Sequence, residues 1–431
     1  MIETCLYLLI IFSLFGQFSQ RYIFTIKGSG FWPQDLFLLF IYLVFFLKIC
    51  LTKKEYVSPF YKPWLHLVLI LIMPIFIGIF RGNFLLTAFR DSRAPFYYLL
   101  PLFFISEIDK EEKWIRIVKF IMINSLVCLG IFYFMRLFNL EFQVGGMTAL
   151  VPLLTEEYSR GYGIYSSWGS FGLVFLILFN LLHLCKISPE KRAMFYLWMF
   201  ASLWAFISLL IRSFTLSLLF GLLFSIFFIL RERKVYFFRF LSIALSFLLI
   251  VTLVWTIKGK EMVHNPFVER YLSIFNPEIS SPGAERNIEF RKEAIKFGIE
   301  KIREEKSTLL FGKGYGDEPL LILEERDSLL IALFNHSSPG WMVYRLGFLI
   351  SSILFFLFIF LLKRIWSFLV LIKKPLIRSF SYGMFSYIIS IPFRSLAGNE
   401  LFRGDFQTLF FLIIIGLLFS IIQIEKRDFI K

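Results

Sequence analysis

A chain of 431 residues that is 58% hydrophobic, 20% aromatic and only 18% charged, with a mean hydropathy of +0.73, has too little polar surface to enclose a soluble globule of its own size. The formal charge of +15 lies on no basic stripe of a soluble domain, so nucleic acid is excluded as the expected partner and membrane topology becomes the better account. The apolar runs are long and lack the roughly ten-residue alternating segments of an outer-membrane barrel, which makes an all-α polytopic membrane protein the expected fold class.

In chain order, apolar windows long enough to cross a bilayer predict helices near 2–18, 34–51, 65–81, 94–106, 116–135 and 165–185. The second half adds 193–211, 214–230, 240–257, 342–362, 379–393 and 406–423. The total is about twelve crossings, an even number that puts both termini on one side. The first segment lacks a basic start and a small-residue cleavage site and reads as a retained helix. Cys5, Cys50, Cys128 and Cys185 sit in or beside apolar segments without a CxxC pair, which implies neither a disulfide framework nor a zinc site.

Between the ninth and tenth segments lies the one long polar interval. The chain therefore divides into an N-terminal bundle, 1–257, a large loop domain, 258–341, and three C-terminal helices, 342–431. Within the loop, Arg286 to Lys306 keeps a helical apolar spacing at Ile288, Ile295, Ile299 and Ile302, then breaks into Phe311-Gly312-Lys313-Gly314-Tyr315-Gly316. A second amphipathic run, Asp327 to Phe334, leads to Asn335-His336-Ser337-Ser338-Pro339-Gly340 just before the chain re-enters the bilayer.

Lysine-rich connectors fall in alternate loops, among them Lys53, Lys54, Lys110, Lys113, Lys373 and Lys374, and the C-terminal Lys426 and Arg427 join them. By the positive-inside rule that side is cytoplasmic and the large loop is not. The opposite loops carry almost only arginine, including Arg81, Arg90, Arg93, Arg160 and Arg212. A guanidinium binds phosphate oxygens bidentately and stays charged in a partly dry site, so an anionic ligand at the outer face is one explanation. Snorkelling to outer headgroups is the other.

Several stretches can carry chemistry. Arg160-Gly161-Tyr162-Gly163 precedes a helix, where free N–H groups suit a phosphate or pyrophosphate, although a plain structural turn has the same composition. Arg212 sits at the bilayer edge between two helices. Arg90-Asp91-Ser92-Arg93 is either a self-satisfied pair or a ligand contact. Gly312 to Gly316 lacks the lysine and hydroxyl of a phosphate loop in the required places and is expected to be a tight turn. His336 is delivered to the membrane surface, where an imidazole can take a proton from an attacking hydroxyl near neutral pH. His264, His66 and His183 read as ordinary polar positions.

These residues resemble the O-antigen ligase and polymerase superfamily, bacterial membrane proteins that move or join glycans carried on undecaprenyl pyrophosphate. Ten residues separate His336 from Gly347, as in the H(X10)G signature of the ligases. Arg286 followed by Phe290 is similar to the R(X3)L signature with phenylalanine replacing leucine, and Leu310 to Gly316 resembles the L-x-G-x-G-x-G turn. The order of Asn335-His336 and of Arg212-Ser213 is inverted relative to the commoner pattern. The resemblance implies a GT-C-like fold in the bacterial inner membrane with its site at the periplasmic face. It implies a donor on undecaprenyl pyrophosphate and an acceptor that is lipid A-core for a ligase or a growing glycan for a polymerase. It implies no nucleotide sugar, no metal and no cofactor. His336 and Arg286 would then be catalytic, Arg160, Arg212, Arg90 and Arg93 would bind pyrophosphate, and Gly347, Gly312 and Gly314 would be structural. A glycolipid transporter or flippase is the rival from another class, although such a protein would place ionisable groups near mid-membrane on broken helices.

Overall fold

The computed structural model describes residues 2–15, 24–26, 29–31, 33–52, 58–83, 85, 87–88, 93–138, 142–144, 147–149, 165–208, 212–232, 282–317, 327, 330–331, 334–335, 338–395 and 406–430. The elements in chain order are α1 (Ile2–Phe15), α2 (Pro33–Thr52), α3 (Tyr61–Phe80), α4 (Arg93–Tyr97), α5 (Leu100–Glu107) and α6 (Glu111–Leu137). They continue with α7 (Tyr165–Leu184), α8 (Pro189–Ser208), α9 (Arg212–Glu232), α10 (Pro282–Arg303), α11 (Lys306–Phe311), α12 (Ser338–Leu369), α13 (Pro375–Ser395) and α14 (Phe406–Ile430). Two antiparallel hairpins of three-residue strands, β1 (Phe24–Ile26) with β2 (Ser29–Phe31) and β3 (Phe142–Val144) with β4 (Met147–Ala149), decorate connectors and form no layer of their own. The protein is an all-α membrane protein. Among the described residues, four helical stretches are long and apolar enough to cross a bilayer: Tyr61–Phe80, Glu111–Phe134, Ser338–Leu369 and Gln407–Arg427. Glu3–Leu14, Asp35–Leu47 and Ser170–Leu184 are apolar but shorter. The expected segment 240–257 lies outside the described residues.

The burial of these stretches differs, and the difference has a sequence cause. The Gln407–Arg427 stretch is 94% buried, whereas Tyr61–Phe80 and Ser338–Leu369 are 39% and 33% buried. Helix α14 is apolar on every face from Leu409 to Ile422, so it can be enclosed on all sides, and it forms the axis around which α1, α5, α6, α12 and α13 pack. Gly416 admits the Phe104 ring against its backbone, and the Trp114 indole donates to the Leu417 carbonyl at 2.8 Å.

The expected fourth helix, 94–106, is broken. Pro101 cannot extend a helical ladder backwards, so α4 stops at Tyr97 and α5 starts at Leu100. The Leu102 N–H turns to the Leu99 carbonyl, and the Tyr98 carbonyl thereby released accepts from the Trp64 indole at 2.6 Å. The Phe96 carbonyl accepts from the Tyr42 hydroxyl at 2.8 Å. A backbone break within an apolar bundle persists only when neighbouring helices re-satisfy it, and α2 and α3 supply both donors.

A small-residue seam joins α7, α9 and α13. Ser217, Gly221 and Ser225 recur at every fourth residue along one face of α9. Ser217 Oγ donates to the Ser390 carbonyl at 2.9 Å, and Ser225 Oγ donates to Ser386 Oγ at 2.9 Å while accepting from Asn180 Nδ2 at the same distance. Between them Gly221 meets the Ser386 carbonyl and Leu176, and Gly383 of α13 meets the backbone of Ile177. Where no water drives association, close backbone approach and such bonds hold helices together.

The helix ends sort into two groups. At one, Lys374 bonds Glu111, Arg378 bonds Glu232, Arg116 lies 3.6 Å from Glu3, and Cys185 Sγ lies 3.4 Å from Ser379 Oγ. Apart from Glu3 of α1, these residues lie at or beside the connectors rich in lysine. At the other, Arg81 meets Glu305 and Asn83 meets the chain at Lys313. Replacing Gly221 with leucine forces a side chain into the Ser386 carbonyl and Leu176; overpacking of this kind costs about 1–3 kcal/mol. We expect a lower thermal unfolding midpoint for Gly221→Leu in detergent, read by tryptophan fluorescence, whereas Leu219→Ala at an exposed position of the same helix leaves it unchanged.

Candidate functional site: a glycine strap at one helix end

After α11 the chain crosses two membrane helices with backbone set directly against backbone. Gly312, Gly314 and Gly316 all have positive φ, 76°, 76° and 83°, and Gly347 inside α12 has φ 73° and ψ 173°. Gly347 interrupts its helix. The carbonyls of Tyr344 and Arg345, which an unbroken helix would pair with residues 348 and 349, instead accept the N–H groups of Lys313 at 2.8 Å and Gly314 at 3.0 Å. The Tyr315 N–H goes to the Pro74 carbonyl of α3 at 3.0 Å. A Cβ at Gly312 would strike the Arg345 carbonyl and the Gly347 nitrogen, one at Gly347 would strike the Leu310 carbonyl, and one at Gly78 would strike the Tyr315 carbonyl. Only glycine fits these crossings.

The expectation of a tight turn rather than a phosphate loop is thus met for a specific reason. A phosphate cradle needs free N–H groups, and here four consecutive ones are used: Gly312 to the Thr308 carbonyl at 2.8 Å, then the three just described.

Side chains lock the strap from both flanks. Asn83 Nδ2 donates to the carbonyls of Tyr315 at 2.9 Å and Lys313 at 3.3 Å. Arg345 Nη1 donates to those of Gly314 and Asp317, each at 3.1 Å, and the Tyr344 hydroxyl donates to Asp317 Oδ2 at 2.6 Å. Tyr315 is fully buried, with its hydroxyl 3.2 Å from the Leu71 carbonyl and its ring against Trp341. Outside the strap, Glu305 accepts from Thr308 Oγ1 at 2.7 Å and Arg81 Nη1 at 3.0 Å and lies 3.6 Å from Lys313 Nζ. The Thr308 and Arg81 bonds, with the Lys313 charge, hold its carboxyl down to about 2 from the ordinary 4.5. Arg81 also donates to Ser307 Oγ at 3.0 Å.

The residues flanking His336 are anchored to the same end. Ile302, Ile331, Phe334 and Tyr344 form a small core of their own, and Phe334 lies on Gly298 of α10. Asn335 Oδ1 is buried with no partner among the described residues, and the buried Ser338 opens α12. His336, like Arg90 and Arg160, lies outside the described residues, as does His264. Arg212 is the first residue of α9 and Arg286 stands in the first turns of α10, which begins at Pro282, ahead of the expected Arg286. Arg93, at the head of α4, is paired: its Nε lies 3.2 Å from Asp35 Oδ2 of α2, whose Oδ1 accepts the Tyr97 hydroxyl at 2.6 Å. The apolar spacing of α10 does not coincide with its buried side. Ala294, Gly298 and Ile302 are buried, while Ile295 and Ile299 are 51% and 38% exposed.

The structure therefore brings Gly312, Gly314 and Gly347 together. It adds Asn83, Asp317, Tyr344, Arg345 and the pairs Arg81–Glu305 and Arg93–Asp35, none of which was singled out from the sequence for these contacts. A charge inside an apolar run was the available signal for Arg345; Asn83 carried none. Among the described residues no group of three or more His, Cys, Asp or Glu is placed to hold a metal ion.

Two outcomes follow from the strap. Gly347→Ala meets both a positive-φ, extended backbone that is essentially confined to glycine, costing about 1–3 kcal/mol, and the Leu310 carbonyl; we expect protease cleavage within 305–317 to become rapid in the folded protein. For Glu305, a depressed carboxyl stabilises the attached loop above the ordinary carboxylate range, and that contribution disappears as pH falls from about 4.5 towards about 2. Glu305→Gln should therefore match the low-pH cleavage pattern of the parent at neutral pH and lose its own pH dependence in that window.

No family model matches the chain, and no curated protein is significantly similar to it.

Proposed function

We propose that the protein is a glycosyltransferase of the bacterial inner membrane, of the O-antigen ligase and polymerase kind. In this reading about twelve crossings form a GT-C-like bundle with the lysine-rich helix ends in the cytoplasm and the loop domain, 258–341, at the periplasmic face. One observation carries the proposal. Two fragments that resemble the family's signatures, Leu310–Gly316 and the stretch from His336 to Gly347, are separate in sequence, and Gly347 and the residues beside His336 converge with the first on one junction at one end of the bundle. Two separate matches to degenerate motifs that meet in this way support one another.

The chemistry proceeds from a glycan on undecaprenyl pyrophosphate. An acceptor hydroxyl attacks the anomeric carbon; its oxygen forms the new glycosidic bond as the bond from that carbon to the pyrophosphate oxygen breaks. The hydroxyl proton passes to His336, or His336 orients the acceptor, and the electron pair leaves with the lipid pyrophosphate. Arg286, with Arg160, Arg212 and Arg90, stabilises the charge that grows there, a preorganised contribution that is commonly the largest in such sites. Arg93, held by Asp35, whose other carboxylate oxygen accepts the Tyr97 hydroxyl, would add its charge beside them. The ligase signature favours lipid A-core as acceptor over a growing glycan.

With purified protein and lipid-linked donor, His336→Ala should lower transfer by roughly 100- to 10,000-fold, the range for loss of a general base. Arg286→Ala should lower it by roughly 100- to 1,000-fold, as for loss of a charge-stabilising donor. Both variants should insert normally; full transfer by both removes the mechanism. Surface glycan from a deletion strain separates the acceptors: bare core with accumulated lipid-linked polymer marks a ligase, and core capped by single repeats marks a polymerase.

A further inference from the structure

Helix α10 leaves a second apolar face uncovered. Its core side, Ala294, Gly298 and Ile302, packs towards Phe334 and Tyr344. About a quarter-turn round the helix stand Ile295 and Ile299, both exposed, and next to them the exposed Lys292, Lys296 and Arg303. The exposed acids Glu293, Glu300 and Glu304 occupy the far side. Lying in this order, core, isoleucine ridge, basic row and acids make a helix with two different apolar contacts rather than one.

The level of the helix is known from its attachments. Arg81, the residue directly after the apolar stretch Tyr61–Phe80, bonds Glu305 and Ser307 just beyond the end of α10. Ile302 shares a small core with Tyr344, which stands within the first turns of the apolar stretch Ser338–Leu369. The C-terminal half of α10 is therefore level with the boundary of two membrane-crossing helices. An apolar ridge edged by lysine and arginine at that level matches a bilayer interface, where the isoleucines enter the acyl boundary and the cations meet lipid phosphates.

We propose that α10 is an interfacial helix, seated through Ile295 and Ile299 on the anionic phospholipid surface, so that the loop domain lies on the bilayer instead of projecting into water. This inference is independent of glycan transfer. The full-length protein is reconstituted into nanodiscs of phosphatidylcholine with phosphatidylglycerol, with p-acetylphenylalanine placed singly at Ile295, Ile299, Glu293 or Glu300 and coupled to a ketone-reactive nitroxide. Relaxation by oxygen, which partitions into lipid, is compared with relaxation by a water-soluble nickel chelate. The oxygen-to-nickel ratio is expected to be several-fold higher at Ile295 and Ile299 than at Glu293 and Glu300. Equal ratios at all four positions mean a solvated helix and overturn the proposal; protection of Ile295 and Ile299 from both reagents means a protein partner or a second copy and also overturns it. Lys292→Gln with Lys296→Gln should lower the ratio at Ile299 in discs containing phosphatidylglycerol and leave it unchanged in phosphatidylcholine alone; an equal fall in both lipids overturns the role of the basic row.

Discussion

The structure at one end of the bundle depends on a single backbone event, the interruption of α12 at Gly347. The interruption turns two carbonyls, those of Tyr344 and Arg345, away from their own helix and towards the strap, which answers with two N–H groups. Because the crossing is backbone on backbone, Gly312, Gly314, Gly78 and Gly347 are all required at once. Side-chain bonds from Asn83, Arg345 and Tyr344 then bind the strap to α3 and α12 together, so the loop and the two helices behave as one piece. Phe334 and Ser338, buried at the same junction, are in this way referred to the membrane helices rather than to a free loop.

The same physical rule governs the bundle interior. An apolar surrounding gives no water to a freed carbonyl, so each break in a helix is met by a donor from a neighbour. Trp64 and Tyr42 serve the break between α4 and α5, and Trp114 adds a bond to α14 at Leu417. The aromatic wealth of the chain, 58 phenylalanines among them, is mostly bulk, yet these few indole and phenol groups combine bulk with a donor at the point of need. The small-residue seam of α7, α9 and α13 solves the opposite problem, attraction without a hydrophobic driving force, by close approach and serine bonds.

The arginines at the strap end do not form one class. Arg81 and Arg93 are committed to carboxylates from other elements, Glu305 and Asp35, and Arg345 to backbone carbonyls of the strap. Their planar, multi-donor heads let one side chain hold two partners, which a lysine's point charge does less well. An excess of arginine on one side of a membrane protein thus contains a structural share. Any arginine assigned to an anionic ligand must be distinguished from that share by its partners, not by its loop alone.

Composition and period determined much of this protein by themselves. The apolar windows located most of the helices, and the glycines of 312–316 marked a turn, because hydrophobic length and positive φ are local properties written into consecutive residues. The tight-turn reading of that stretch was also reachable, since a phosphate loop demands particular residues at particular places. What only the tertiary structure decided is non-local. Four isoleucines marked an apolar strip in helical register on α10, but spacing cannot say which of two adjacent apolar strips meets the core, and with Phe334 lying on Gly298, Ile295 and Ile299 are left exposed. Asp35 and Arg93 are separated by two helices in the chain, and Asn83 and Tyr315 by most of the molecule, so no local pattern could pair them. The break of α12 at Gly347 is the clearest case. A lone glycine in an apolar helix is ordinarily a tolerated residue, and its meaning came from the chain that crosses it.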